Sequence, residues 1–181
     1  MVNNTHSLTP SLGMLKQYVL TLIGDDKPGL VDSLAQAVRC HDGSWLESRM
    51  ANLAGKLSGI VLVSINADKS DAFEAAMAEL KNSGLSVRAT SVGDIATEGR
   101  HTQTLSLVAN DRPGILSELT SALASLEVNV EELTTDCSPA PMSSDLLFNA
   151  KAKVRIPDTM TDSQLRERLE ALADDLMVEI E

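Results

Sequence analysis

The chain has 181 residues, which at about 100–200 residues per domain is enough for one large domain or two small ones. Its composition is 43% hydrophobic and 23% charged, which excludes intrinsic disorder, and no apolar run reaches the roughly 18 residues of a membrane helix. The net charge of −11 and the four aromatic residues argue against direct binding to nucleic acid, which needs basic side chains and stacking platforms.

The cysteines and the N-terminus predict a cellular compartment. Cys40 and Cys137 lie far apart and do not form a disulfide framework. The N-terminus has neither a basic region nor a long apolar segment, so we expect no signal peptide. The expected location is the cytoplasm.

Residues 1–16 are polar and aperiodic, and we expect a flexible tail. In residues 17–92 the predicted order is strand, helix, strand, strand, helix, strand. Asp26 is available to cap the first helix, and Pro28 fixes φ for its first turn. Ser70 is placed to cap the second helix. Helical spacing runs through Leu30, Leu34, Ala37, Val38 and His41, and then through Phe73, Ala76, Met77 and Leu80.

The second half of the chain repeats the first at an offset of 85 residues. Residues 20–30 align with residues 105–115 without a gap, and both contain a strand that leads into Asp-x-Pro-Gly. Residues 103–181 are therefore a second copy of the same unit, and residues 93–102 are the linker. Thr161 and Gln164 have the spacing of a capping box, followed by Leu165, Leu169, Leu172 and Leu176.

Two further segments of the second copy have open interpretations. Ser138–Ser144 reads as a flexible loop, with a lid or a partner contact as the alternative. Residues 146–156 alternate, with apolar side chains on one face and Lys151, Lys153 and Arg155 on the other. These cations either pair with acids of the neighbouring strand, such as Glu132 and Asp136, or meet an acidic partner.

The order βαββαβ, present twice, predicts an α+β fold of two ferredoxin-like units. Each has a four-stranded antiparallel sheet with two helices on one face. In the first copy both faces of the strand around Ile60 are apolar, so we expect the other copy, the tail or a second chain to cover the second face.

These residues resemble the ACT domain. The matching motifs are Asp26-Lys27-Pro28-Gly29-Leu30, Asp111-Arg112-Pro113-Gly114-Ile115 and Val128-Asn129-Val130. Two such units without a catalytic domain, together with Leu46–Leu53, are similar to the glycine cleavage system transcriptional repressor family. The resemblance implies units paired side by side and an amino acid bound where they join, with contacts from the turn after strand one and from the start of strand two.

The chemistry of an amino acid fits this turn. The start of a helix offers free N–H groups and a positive dipole end to a carboxylate, glycine allows close approach, and an Asp or Asn oxygen accepts from the ammonium group. The predicted ligand residues in the second copy are Asp111, Arg112, Pro113, Gly114, Ile115 and Asn129. Those in the first copy are Asp26, Gly29, Leu30 and Ser44.

The second copy is the better predicted site, because Ser44 stands where the family has Asn, and the loop acid is Asp in both copies where relatives often have Asn. Each residue also has a plainer interpretation. The aspartates could only cap helices, the glycines could only serve tight strand–helix packing, and Asn129 could only satisfy a turn.

We therefore expect a non-catalytic regulator that senses a metabolite, such as glycine or serine. It would act through a protein partner, which the resemblance implies is a DNA-binding transcriptional activator, without touching DNA itself. The alternative is an amino-acid-responsive regulatory subunit of a metabolic enzyme. The sequence leaves open whether the units pair within one chain or in a homodimer. It predicts no catalytic constellation, no metal site at Cys40 and His41, no cofactor and no membrane contact.

Overall fold

The computed structural model describes residues 14–93, 100–140, 145–172 and 176–181, and the chain divides into two compact units, Met1–Ile95 and Ala96–Glu181. Each unit has the element order βαββαβ in one four-stranded antiparallel sheet. The predicted α+β fold and its internal repeat are confirmed.

Unit 1 has the sheet order β2-β3-β1-β4. Its core lies between the sheet and the two helices, and Tyr18, Phe73 and Leu34 are fully buried there. The elements are β1 (Leu15–Asp25), α1 (Leu30–Cys40), β2 (Ser44–Leu53), β3 (Lys56–Asn66), α2 (Ser70–Glu79) and β4 (Leu85–Val92).

Unit 2 has the corresponding order β6-β7-β5-β8. Its core contains Leu105 and Leu107 of the sheet and Leu165 and Leu169 of the last helix, all of them at most 1% exposed. The elements are β5 (Arg100–Asn110), α3 (Ile115–Ser125), β6 (Asn129–Pro139), β7 (Leu146–Pro157), α4 (Asp162–Glu170) and β8 (Met177–Ile180).

Several elements are longer or shorter than predicted. Leu15 and Lys16 belong to β1 and not to the tail, and β5 begins at Arg100, inside the predicted linker. The rest of the predicted tail and linker, residues 1–13 and 94–99, lies outside the described residues. Leu15, Lys16 and Arg100 extend their strands because each has a pairing partner on β3 or β7.

The loop predicted at Ser138–Ser144 is shorter, because Ser138 and Pro139 pair with β7 as the last residues of β6. Residues 141–144 lie outside the described residues. The helical stripe predicted to continue through Leu172 and Leu176 ends with α4 at Glu170. Leu172 is 37% exposed, and Leu176 is buried directly before β8.

The helix starts differ from prediction in the first unit. Pro28 precedes the helix, and the residue at its N-terminal boundary is Gly29. Ser70 is the first residue of α2 and not its cap, because a short 3-10 turn at Ala67–Lys69 leads into that helix. At α4 the predicted capping box of Thr161 and Gln164 is confirmed.

The alternation predicted for β7 is confirmed at its centre, where Ala150, Ala152 and Val154 are buried. Leu146, predicted to share that apolar face, is 46% exposed at the strand end. On the opposite face, the cations Lys153 and Arg155 pair with an acid of β6.

One acid that binds this row of cations is Glu131, which was not predicted from the sequence, whereas the predicted Asp136 binds elsewhere. A bulge between Val130 and Glu132 turns Glu131 toward the row, where it accepts from Arg155 Nε at 2.7 Å and lies 3.9 Å from Lys153 Nζ. Lys153 stands opposite Glu132 in the strand register, and Asp136 accepts from the Asn149 amide at 3.1 Å.

Candidate functional site

Each unit carries one Asp-x-Pro-Gly turn between its first strand and first helix. Gly29 and Gly114 stand at the N-terminal boundaries of α1 and α3 with φ of 93° and 91°, a left-handed conformation that other residues rarely adopt. A Cβ added at Gly29 would meet nothing within 4 Å, and one at Gly114 would meet only Glu118 Oε1 at 3.9 Å. The glycines are therefore required by backbone conformation and not by close packing, and the space outside both turns is open.

The loop aspartates do not cap these helices. Among the described residues, no side chain forms a cap hydrogen bond at Gly29 or Gly114. The first helical bonds run from Ser33 N to Gly29 O at 2.9 Å and from Glu118 N to Gly114 O at 3.0 Å. Apart from the Ile115 N–H, which donates to Arg112 O at 3.3 Å, the N–H groups within the first turn have no intrahelical acceptor and lie at the positive end of the helix dipole. Both turns thus present free donors to solvent.

In unit 1 the loop acid is already engaged. The Asn52 amide of β2 donates to the carboxylate of Asp26, and the Asp26 N–H donates to Gly55 O at 2.9 Å. Next to it, Lys56 binds Asp25, and this hydrogen bond and the charge of Lys56 lower the pKa of that carboxyl. The β2–β3 hairpin thus fixes the turn of unit 1.

In unit 2 the loop acid has a weaker neighbour. The Asp111 N–H donates to Leu146 O at 2.8 Å, and the Cys137 thiol lies beside the Asp111 carboxylate. Local desolvation, then the negative charge and hydrogen bond of Asp111, raise the pKa of Cys137. A thiol is a weak donor compared with an amide, so Asp111 keeps more of its accepting capacity than Asp26.

Asn52 and Cys137 occupy equivalent positions of the repeat, 85 residues apart. Both lie on the second strand of their unit and face the loop acid. Sequence reasoning missed them, although the same offset that reveals the repeat would have paired them.

Arg112 forms an ion pair across the first turn of α3. Its Nη1 and Nη2 donate to the two Glu118 oxygens at 2.8 and 2.6 Å, and this hydrogen bond lowers the pKa of Glu118. Both side chains are more than a third exposed. A guanidinium group that matches one carboxylate in two-pronged geometry can bind another.

The inner side of the turn leaves no room for a ligand. Ile115 and the equivalent Leu30 anchor the helix starts in their cores, at 9% and 4% exposed. The cavity below Arg112, bounded by Ile115, Phe148 and Leu176, measures about 10 Å³, which is space for one water molecule at most and far too small for an amino acid. The open side of the turn is the solvent side, where Pro113 and Gly114 are exposed.

The structure separates the other predicted residues from the turns. Asn129 stands in register with Arg155 and, through it, with Thr102, whereas the turn follows Asn110. Eight residues of strand correspond to about 26 Å, so Asn129 and Asp111 lie near opposite ends of one sheet. Ser44 is separated from Asp26 in the same way. One amino acid cannot touch both groups within a single unit.

Within the described ranges no group of three or more His, Cys, Asp or Glu side chains is placed to hold a metal ion. No helix in the described part of the chain is long and apolar enough to cross a membrane.

Comparison with known proteins identifies the repeated unit. Models of the ACT domain match residues 16–90 and 103–174, and no curated protein matches the sequence. The crystal structure of an unknown protein from Galdieria sulphuraria superposes with a TM-score of 0.81 at 24% identity, covering 93% of this chain and 98% of that one. A candidate glycine cleavage system transcriptional repressor superposes with a TM-score of 0.70 at 17% identity, covering 93% and 97%. At these identities the likeness shows a common fold.

Proposed function

The chain belongs to the ACT domain family, with two domains in tandem, and we propose on that premise that it is a non-catalytic, cytoplasmic regulator that senses a free amino acid. ACT domains are ligand-binding regulatory domains. Two of them cover residues 16–90 and 103–174, and most of the described residues outside these ranges belong to strands of the same two sheets, among them β8.

The observation that carries the proposal is the turn at Asp111–Ile115. Gly114 leaves the start of α3 open and uncapped, so the N–H groups of its first turn can donate to the ligand's carboxylate. Asp111 lies at the same turn and offers an anion to the ligand's ammonium. Arg112 supplies a second contact by exchanging the carboxylate of Glu118 for that of the ligand. One turn thus presents complementary groups to both charges of an amino acid.

The contacts around the turn of unit 1 support a structural role for that turn. Asp26 is held by the Asn52 amide, so a ligand's ammonium group would have to displace that hydrogen bond. In unit 2 the neighbour of Asp111 is the Cys137 thiol, which is a weaker donor than an amide. Unit 1 also has Ser33 where unit 2 has Glu118, and Ser33 Oγ donates to Gly29 O at 2.9 Å. The open site is therefore assigned to unit 2.

The proposed output is a change in contact with a protein partner. The net charge of −11 disfavours direct DNA binding, and the fold is shared with a candidate glycine cleavage system transcriptional repressor. We assign glycine or serine as ligand and a DNA-binding activator as partner. Both β2 and β6 are edge strands of ten or more residues, which suit side-by-side pairing of ACT domains, within a chain or in a homodimer.

A thermal-unfolding panel of the full chain against the common amino acids tests the proposal. A ligand at 100 times its Kd stabilises the protein by about 2.7 kcal/mol, which raises the unfolding midpoint by roughly 5–10 °C. We expect one small amino acid to do so, Asp111→Ala to abolish the shift, and the matched variant Asp26→Ala to keep it. No shift with any amino acid at millimolar concentration would contradict the sensor function.

The second candidate function is a regulatory subunit of a metabolic enzyme, which the same fold and turn would serve. Capture of partners by the tagged protein from its native lysate separates the two. A transcription regulator among the partners supports the proposal, and a metabolic enzyme alone supports the alternative.

A further inference from the structure

The sheet of each unit has one face covered by helices and one face that its own unit leaves open. In unit 1 the central strands place six side chains on this open face, because these positions alternate with the buried Leu20, Leu22, Val61 and Val63. They are Val19, Thr21, Ile23, Ser58, Ile60 and Leu62.

The open face of unit 1 is apolar at its centre. Ile60 lies on the central strand β3 and is 51% exposed, and Ile23 on β1 is 53% exposed. They line a shallow groove of about 670 Å³, flanked by Arg49 of β2 and Arg88 of β4. Large aliphatic side chains in the middle of a sheet face indicate a surface that becomes covered.

At the equivalent positions of unit 2 the open face carries charged side chains, which water can solvate. The residue opposite Thr21 is Ile60, whereas the residue opposite the equivalent Ser106 is Lys151. In the same way Lys153 stands at the position of Leu62. The fold accepts lysine at both positions, so the aliphatic pair in unit 1 is not required for folding of the sheet.

We propose that the open face of unit 1 binds the same face of a second copy of the chain, about a two-fold axis parallel to the central strands. Sheets packed face to face lie about 10 Å apart with their strands nearly aligned. This axis places β1 over β3 and β2 over β4 of the second copy, so Ile60 and Leu62 pack against Val19 and Ile23. The inference goes beyond the proposed function and does not depend on an amino-acid ligand.

The charges on the face select this axis. Among the described residues Arg88 makes no hydrogen bond or ion pair, and the nearest acid on the opposite edge strand is Glu47, which binds Arg49 and is 61% exposed. With β2 over β4, the strand register brings Arg49 of each copy opposite Arg88 of the other, and Glu47 lies two residues along β2, where its two oxygens can hold both arginines. An axis across the strands would instead stack β4 on β4 and bring the two Arg88 side chains together.

The open face of unit 2 does not fit as a partner for the open face of unit 1. The unit 2 face carries Lys151, Lys153 and Arg155, and its Glu131 carboxylate is already bound to Lys153 and Arg155, so Arg49 and Arg88 would meet mainly like charges. A second copy of unit 1 supplies both the aliphatic surface and the acid. The packing leaves the edge strands free, so it is compatible with side-by-side pairing.

Sedimentation velocity of the full chain across the micromolar range tests the proposal. We expect association to at least twice the 19.3 kDa of one chain. The double variant I60K/L62K, which installs the residues of unit 2, should remove this association while circular dichroism stays unchanged. The matched control is Val31→Lys, an exposed aliphatic position on α1 outside the face.

A charge exchange tests the axis itself. E47R alone brings three arginines together without an acid and should weaken association. An equimolar mixture of E47R with R88E should restore it, because R88E supplies the carboxylate that E47R lacks. A chain that is monomeric throughout, association that survives I60K/L62K, or failure of the mixture to recover would overturn the proposal.

Discussion

The carboxylate of Asp111 lies beside the Cys137 thiol and near the open start of α3. Local desolvation and then the charge of this carboxylate raise the pKa of the Cys137 thiol, which keeps it protonated and slow to react. The contact therefore provides a reporter for the candidate site that needs no ligand.

We predict that Asp111→Asn lowers the pKa of Cys137 and speeds its reaction with a disulfide reagent near neutral pH. The measurement is the pH profile of thiol reactivity in a Cys40→Ser background, so that only one thiol reacts. Asp26→Asn is the matched control and should leave the profile unchanged. Equal profiles for the wild-type residue and Asp111→Asn would refute the contact.

Individual residues were predicted where the backbone alone determines them. The motif predicts a special role for Gly29 and Gly114, and the structure shows left-handed φ at both. Asn52 and Cys137 were missed because their role depends on the register of a hairpin against the turn. Glu131 was missed because a bulge, which no alternation pattern reveals, turns it toward Arg155.

At the scale of elements, the start of α2 contains an unsatisfied polar group. Ser70 is 6% exposed, and within the described chain its hydroxyl has no hydrogen-bond partner. A buried hydroxyl without a partner loses its hydration and gains nothing in return.

We predict that Ser70→Ala raises the free energy of unfolding by about 0.5–1 kcal/mol. Thr161→Ala, at the confirmed capping box, should lower it by about 1 kcal/mol. Urea unfolding of both variants gives the two signs. A loss of stability for Ser70→Ala would show that the hydroxyl does have a partner.

Element order and strand phase followed from the sequence because the periodicity is strong and each unit repeats the other. The ends were harder. Whether Leu15 or Arg100 continues a strand depends on a pairing partner far along the chain, and no local pattern encodes it.

At the scale of the molecule, the two units share a fold and differ in surface. Residues 1–92 contain 8 basic and 9 acidic side chains, and residues 93–181 contain 7 and 17. Unit 1 has an engaged loop acid and an aliphatic open face, whereas unit 2 has a weakly held loop acid and a charged open face. We interpret this divergence as a division between an assembly unit and a sensing unit.

The most direct test of the central claim is an amide NMR titration of the isotope-labelled full chain with glycine or serine. We expect the largest shifts at Gly114, Leu116 and Ser117, where the ligand's carboxylate meets free N–H groups, with much smaller shifts at Gly29 and Val31. Shifts confined to the turn of unit 1, or none at either turn at saturating amino acid, would contradict it.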